Sequence, residues 1–146
     1  MTRRIGDLRP GDLVEKLRRL EERVAALERR VNAQAVVMVS DGVTLGPGHT
    51  SYTRLAWSSF PRSGSLIRVE VNVTLTGASS VDLALWTEGV EIATVNITGS
   101  GTAALSGFLP DSWQFGDRRR LELYGRLNNP GTGASGQVTV LGAELR

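Results

Sequence analysis

Between residues 12 and 34, apolar side chains recur at Leu13, Leu17, Leu20, Val24, Leu27 and Val31, at spacings of 4, 3, 4, 3 and 4 residues. This is a strict heptad, with Leu17, Val24 and Val31 at position a and Leu13, Leu20 and Leu27 at position d. Apart from Val14, Ala25 and Ala26, the other positions are mostly Arg and Glu. The predicted helix therefore carries a narrow apolar stripe, suited to a partner helix and not to the broad face of a globular core. Asp12 followed by Glu15 has capping-box spacing, and Pro10 and Gly11 are expected to stop the helix upstream.

The charges beside the seam bear on how such helices would pair. Position g holds Lys16, Arg23 and Arg30, and position e holds Val14, Glu21 and Glu28. In a parallel assembly Lys16 faces Glu21 and Arg23 faces Glu28 of the neighbouring chain, whereas an antiparallel pair sets like charges together. The segment Arg23-Val24-Ala25-Ala26-Leu27-Glu28 resembles the short trimerisation motif of many parallel three-stranded coiled coils, and Lys16 to Glu21 repeats it one heptad earlier with Lys for Arg. The resemblance implies a homotrimer held by Leu13, Leu17, Leu20, Arg23, Val24, Leu27, Glu28 and Val31. A parallel dimer and a helix packed on its own domain are the alternatives. Three heptads are marginal alone, so the rest of the chain is expected to share in holding the assembly.

From Ala35 onward the period changes to two. In residues 66–76, Ile67, Val69, Val71, Val73 and Leu75 alternate with Arg68, Glu70, Asn72 and Thr74, the pattern of a half-buried antiparallel strand. Similar runs cover 35–43, 52–58, 80–88, 90–97, 102–108, 118–128 and 137–145, separated by Gly, Pro, Ser and Asn clusters. The predicted class is mainly β: a coiled-coil helix followed by a β-sandwich of jelly-roll type. The expected divisions are an N-terminal tail at 1–11, a coiled coil at 12–34 and a sandwich head at 35–146. The first predicted strand is apolar on both faces, which suits either a threefold interface or the depth of the sandwich.

Composition narrows the chemistry. The 146 residues include no cysteine, which excludes disulfides, thiolate nucleophiles and cysteine-bound metals. His49 is the single histidine, so no His-pair metal site can form and a Ser-His-Asp triad could be built only around it. No cofactor is expected. No signal peptide is recognisable and no apolar run approaches the ~20 residues that span a bilayer, so a soluble protein without membrane insertion is expected. Net charge is +2, with nine basic and six acidic residues before residue 34 and eight basic and nine acidic after it. Neither part carries the basic stripe of a nucleic-acid surface.

Several motifs invite chemistry. Gly131-Thr132-Gly133-Ala134-Ser135-Gly136 matches the dinucleotide-binding glycine pattern, but a strand follows it, so a hairpin loop is expected. Asn72-Val73-Thr74 and Asn96-Ile97-Thr98 match glycosylation sequons and are read as strand residues on a polar face. Arg118-Arg119-Arg120 could grip phosphate, but a guarded strand edge is preferred. His49 lies in a turn-rich loop, and no nucleophile elbow surrounds nearby Ser51. No pair of carboxylates stands out for glycosidase chemistry, and no catalytic residue is nominated.

The aromatic residues are the more informative set. Alternation in 81–86 points Trp86 outward beside Asp82 and Ala84, and alternation in 121–128 points Tyr124 outward with Glu122, Arg126 and Asn128. Exposed rings among Asp, Asn and Arg suit sugar binding, because a ring stacks on a sugar's C–H face while polar groups bond its hydroxyls. The same residues suit a subunit interface. Trp57 falls on the Leu55 side of its strand and is expected in the core. Trp113, in a loop with Asp111 and Asp117, is the first candidate for ligand contact.

A short tail, a parallel coiled coil and a terminal β-sandwich together resemble small trimeric fibre, spike or minor tail proteins of bacteriophages. The Arg-rich, Lys-poor usage is similar to that of phages of high-GC actinobacterial hosts, and 121–143 resembles the last hairpin of such tail-associated domains. The resemblance implies a non-enzymatic virion protein assembled in the host cytoplasm, its tail docked on other virion proteins and its head turned to host cell-wall glycan. A capsid decoration or head-fibre protein with a structural role is the alternative, and a small carbohydrate-active enzyme the second alternative.

Overall fold

The computed structural model describes residues 10–32, 34–78 and 80–146, and within its helix the side chains of residues 11–25. The chain divides after Ala33 into two compact units. The first unit contains α1 (Pro10–Asn32). Pro10 and Gly11 lie inside the helix, not in front of it, because proline in the first turn gives up an N–H that has no intrahelical acceptor anyway. Asp12 sits in the first turn, where its charge complements the helix dipole. The helix is described to Asn32 and Gln34 already belongs to a strand, so the helical segment is displaced two residues toward the N-terminus from its expected bounds. Most of the expected docking tail, residues 1–9, and the side chains of Leu27, Glu28 and Val31 lie outside the described residues.

Along the described seam, Leu13, Leu17, Leu20 and Val24 are 47%, 52%, 55% and 51% exposed. These four described residues therefore bury little within the helix. The polar flank is ordered differently. Arg18 bridges Glu15 at 2.8 Å and Glu22 at 3.0 Å, and Arg19 meets Glu15 at 3.3 Å, all at helical i, i+3 or i, i+4 spacing.

The second unit is built from nine strands: β1 (Gln34–Ala35), β2 (Val39–Ser40), β3 (Thr53–Pro61), β4 (Leu66–Thr76), β5 (Ser80–Thr87), β6 (Val90–Ile97), β7 (Gly101–Phe108), β8 (Arg118–Asn128) and β9 (Ser135–Leu145). They form two antiparallel sheets, ordered β1-β9-β4-β7 and β2-β3-β8-β5-β6. Apart from the β2–β3 and β5–β6 links, every connection passes from one sheet to the other. The inward residues of both sheets form one apolar cluster: Ile67, Val69, Val71 and Val73 of β4 meet Val81, Leu83 and Leu85 of β5 and Leu121, Leu123 and Leu127 of β8. The alternation of β4 is realised residue by residue, with Arg68, Glu70, Asn72 and Thr74 exposed. Gly125 of β8 is part of the same packing, because a Cβ there would lie 2.7 Å from Leu55 Cδ1 and 3.1 Å from Leu83 Cδ2.

Three expectations are corrected. Residues 35–43 do not form one strand buried on both faces. Gln34 and Ala35 pair with β9, whereas Val39 and Ser40 pair with β3 in the other sheet, so the segment crosses between sheets and leaves Val37 77% exposed. Trp57 is not core. A bulge between Arg54 and Ala56 takes up Leu55 as an extra residue, which turns Trp57 to the outer face opposite Glu122. The glycine-rich segment 131–136 is not a hairpin loop, and 121–143 is not a hairpin, because β8 and β9 lie in different sheets. The segment is anchored instead by Gly131 N–H donating to the Gly77 carbonyl at 2.8 Å and by buried Ala134. Arg118-Arg119-Arg120 pairs with β3 on one side, and on the other β5 is in register with β8 only from Glu122 onward, so this end of β8 keeps the open edge expected for it. Arg118 donates to the Ser59 carbonyl, Arg119 to the Ser112 carbonyl, and Arg120 lies 4.7 Å above the Trp57 ring.

Candidate functional site

The outer face of the five-stranded sheet gathers most of the residues that the sequence singles out. β5 and β8 are neighbours in register, with Ser80 opposite Asn128, Asp82 opposite Arg126, Ala84 opposite Tyr124 and Trp86 opposite Glu122. Period-two alternation then puts these pairs on one side. Trp86, Tyr124, Arg126 and Asn128 stand on this outer face, each half-buried, and the β5–β8 pairing brings them together. The middle of a sheet holds side chains more firmly than a loop does, because both backbone edges are bonded.

A polar network fixes one half of this face. Asp82 accepts from Arg126 Nε at 3.0 Å and from Asn96 Nδ2 at 2.6 Å, while Ser80 Oγ accepts from Asn96 at 3.1 Å and from Asn128 at 2.9 Å. Burial pushes the Asp82 carboxyl up, but the hydrogen bonds from Asn96, Asn128 and Arg126 and the charge of Arg126 outweigh it and hold the group below its ordinary value. Arg126 also lies 4.5 Å above the ring of Tyr52. On the other half, Arg54 forms a forked pair with Asp41 at 2.9 and 3.2 Å and reaches Glu122 at 3.8 Å. Tyr124 OH donates to Glu122 at 2.6 Å.

Between the two halves lies a surface cavity of about 360 Å³ lined by Tyr52, Trp86, Glu88, Gly89, Glu122 and Tyr124. Trp86 and Tyr124 meet edge to face there, with centroids 6.4 Å apart and planes at 73°. Trp86 Nε1 is shielded from solvent and has no hydrogen-bond partner among the described residues. A buried donor left in this way costs about 1–3 kcal/mol, a cost localised at the cavity. Tyr52, Glu88 and Gly89 were not singled out in the sequence. Tyr52 precedes its strand, and no period marks which face its ring joins.

Trp113 does not belong to this face. It is fully buried, stacked on Phe60 with centroids 5.0 Å apart, and its indole N–H donates to the Asp117 carbonyl at 2.7 Å. A loop tryptophan between aspartates is thus a core anchor, and only Asp111 of that pair of candidates is exposed. His49 closes its own turn, Nδ1 accepting from the Gly46 N–H at 2.8 Å. Among the described residues no three of His, Cys, Asp and Glu converge where they could hold a metal ion.

The arrangement is a fixed polar and aromatic surface, able to stack a ring or a cation and to exchange hydrogen bonds around it. In comparisons with known proteins, no family model matches the chain and no curated protein matches it.

Proposed function

We propose that the protein is a non-enzymatic, trimeric fibre or tail-tip protein of a bacteriophage particle, whose sandwich head contacts glycan on the host cell surface. The observation that carries the binding role is the outer face of the five-stranded sheet, where Tyr52, Trp86 and Tyr124 stand among a tied network of Asp, Asn, Arg and Glu. Aromatic rings supply apolar contact at low entropy cost, and the surrounding polar groups suit hydroxyl-rich ligands.

Trimerisation is supported by the open heptad seam of α1 and by the division of its charges. Arg18, Arg19, Glu15 and Glu22, which would face outward in a coiled coil, are paired within the helix, whereas among the described residues Lys16, Glu21 and Arg23 are in no intrachain ion pair. Those three are the flanking positions that would face a neighbouring chain. Exposed Val37 and Val39, just after the helix, add apolar surface that further copies could cover. The strand orders, with β1 and β2 treated as one broken first strand, support reading the sandwich as a jelly roll. Placement on a virion rests on the stalk-and-head order of the chain.

Two measurements test this reading. Light scattering at micromolar concentration should give about three times 15.7 kDa, and a monomeric mass would refute the trimer. Labelled protein should bind actinobacterial cell-wall preparations, with Trp86→Ala reducing binding at least tenfold and Trp113 substitutions acting only through stability. No binding to any such wall, or undiminished binding by Trp86→Ala, would refute the role of this face.

A further inference from the structure

We propose that the cavity bounded by Tyr52, Trp86, Glu88, Glu122 and Tyr124 takes the ammonium group of a cationic ligand, specifically the free amine of an amino sugar. This rests on the reading of the face as glycan-binding and names which glycan chemistry it selects.

The lining is rich in acceptors and poor in donors. Its two ionisable carboxylates are Glu88 and Glu122, and no lysine or arginine lines it. The nearby guanidinium groups are engaged: Arg54 is forked onto Asp41 and reaches Glu122 only at 3.8 Å, and Arg126 is bonded to Asp82 and stacked on Tyr52. Arg119 meets Glu88 at 3.4 Å; the Glu88 side chain is 58% exposed, so that pair is screened by water and salt and a ligand ammonium competes with it on the same terms. Of the side-chain donors, Tyr124 OH is spent on Glu122 and Trp86 Nε1 is shielded, which leaves the Tyr52 hydroxyl, itself also an acceptor, beside the two carboxylates. A neutral hydroxyl seeks both a donor and an acceptor, whereas an ammonium carries three donors and no acceptor. The ammonium matches what the cavity offers.

The rings point the same way. Trp86 and Tyr124 stand near a right angle and form a corner, which receives a compact group better than a broad stacked ring. Their π systems attract a cation, by about 0.5–1 kcal/mol when exposed and more when desolvated. Tyr124 reports the carboxylate beside it, whereas burial dominates at Tyr52. The hydrogen bond to Glu122, with burial and the Glu122 and Asp41 charges, pushes the Tyr124 phenol up against the opposing Arg54. Burial, with Asp82 and Glu91, pushes Tyr52 up against Arg126.

Glu88 adds an independent sign. It and Gly89 form the two-residue turn between β5 and β6, with φ of +46° and +80°. Asn, Asp or Gly fills the first place of such a turn with least strain, so glutamate there is held in a disfavoured conformation beside the cavity. The turn thereby sets a carboxylate at the rim of the cavity.

The test uses the full chain and two probes with one backbone, a chitosan oligomer bearing free amines and the same oligomer fully N-acetylated. Binding is followed at pH 6 by the indole resonances. The amine form should bind at least tenfold tighter, shift the Trp86 resonance, and weaken with added salt. Glu88→Asn should lose at least fivefold in affinity for the amine form, leave the acetylated form unchanged, and unfold no more readily than the parent. Equal affinity for both oligomers overturns the cation proposal and leaves glycan binding standing. Cell-wall binding without affinity for either oligomer also overturns it, again sparing the broader reading. Failure to bind oligomers and cell walls alike overturns both.

Discussion

Arg62 shows how much a single side chain can hold together in this sandwich. It is buried, yet among the described residues no carboxylate faces it. Its guanidinium instead donates to the carbonyls of Gly64, Pro110 and Trp113 and to Ser65 Oγ, and lies 4.5 Å above the Phe115 ring. Those partners belong to two of the connections that pass between sheets, 62–65 and 109–117, which the backbone bonds from Arg62 N–H to Asp117 and from Gly116 N–H to Arg62 also tie. Removing the fork takes the Arg62 donor from the Gly64 and Trp113 carbonyls, while the Pro110 carbonyl keeps the Trp113 N–H. Arg62→Ala should therefore lose about 2–4 kcal/mol of stability in urea unfolding. Arg62→Lys should recover less than half of that, because one ammonium cannot reproduce a planar fork. The same connection explains why Trp113 was misplaced from sequence. Its neighbours Asp111, Ser112 and Asp117 are polar and give no period, so nothing local signals that the ring turns inward onto Phe60. Trp86 and Tyr124 were legible because each lies in a strand whose alternate residues are strongly apolar.

At the scale of the element, alternation carried the long strands and failed at interruptions. β4, β5, β6, β7 and β8 fall within two residues of their expected bounds, since each repeats an inward and outward pattern long enough to be read. Trp57 escaped because one bulge residue reverses every side chain after it, and a bulge leaves no mark in composition. The first predicted strand escaped because Val36, Val37, Met38 and Val39 are uniformly apolar, which conceals that the segment changes sheets. For α1, the heptad identified the helix, and its charges make an orientation test available. If parallel helices pair Lys16 with Glu21 and Arg23 with Glu28, then Lys16→Glu with Arg23→Glu should weaken association at least tenfold. Adding Glu21→Lys and Glu28→Arg should restore it. Ultracentrifugation over a concentration series reads both steps, and failure of the second pair to rescue would reject the parallel register.

At the scale of the whole molecule, the proposed joining of a trimeric heptad segment to a glycan-binding head has a numerical rationale. The sandwich has its own apolar core, so residues 34–146 should fold without α1 and keep the Trp86 cavity intact. A single head offers one small cavity, and a site of that size gives weak affinity for one sugar unit. Three heads held together convert the second and third contacts with a repeating polymer into intramolecular events, which can raise overall binding by about 10²–10⁴ without any new contact. The head alone should thus match the full chain in affinity for a soluble oligomer too short to bridge two cavities, and fall at least 10²-fold behind it on intact cell wall. Replacing α1 by an unrelated parallel trimeric coiled coil should restore wall binding. Replacing it by a dimeric coiled coil should restore only part. Equal wall binding by the isolated head and the full chain would mean that assembly through the heptad contributes nothing to attachment, and that the seam serves the architecture of the particle alone.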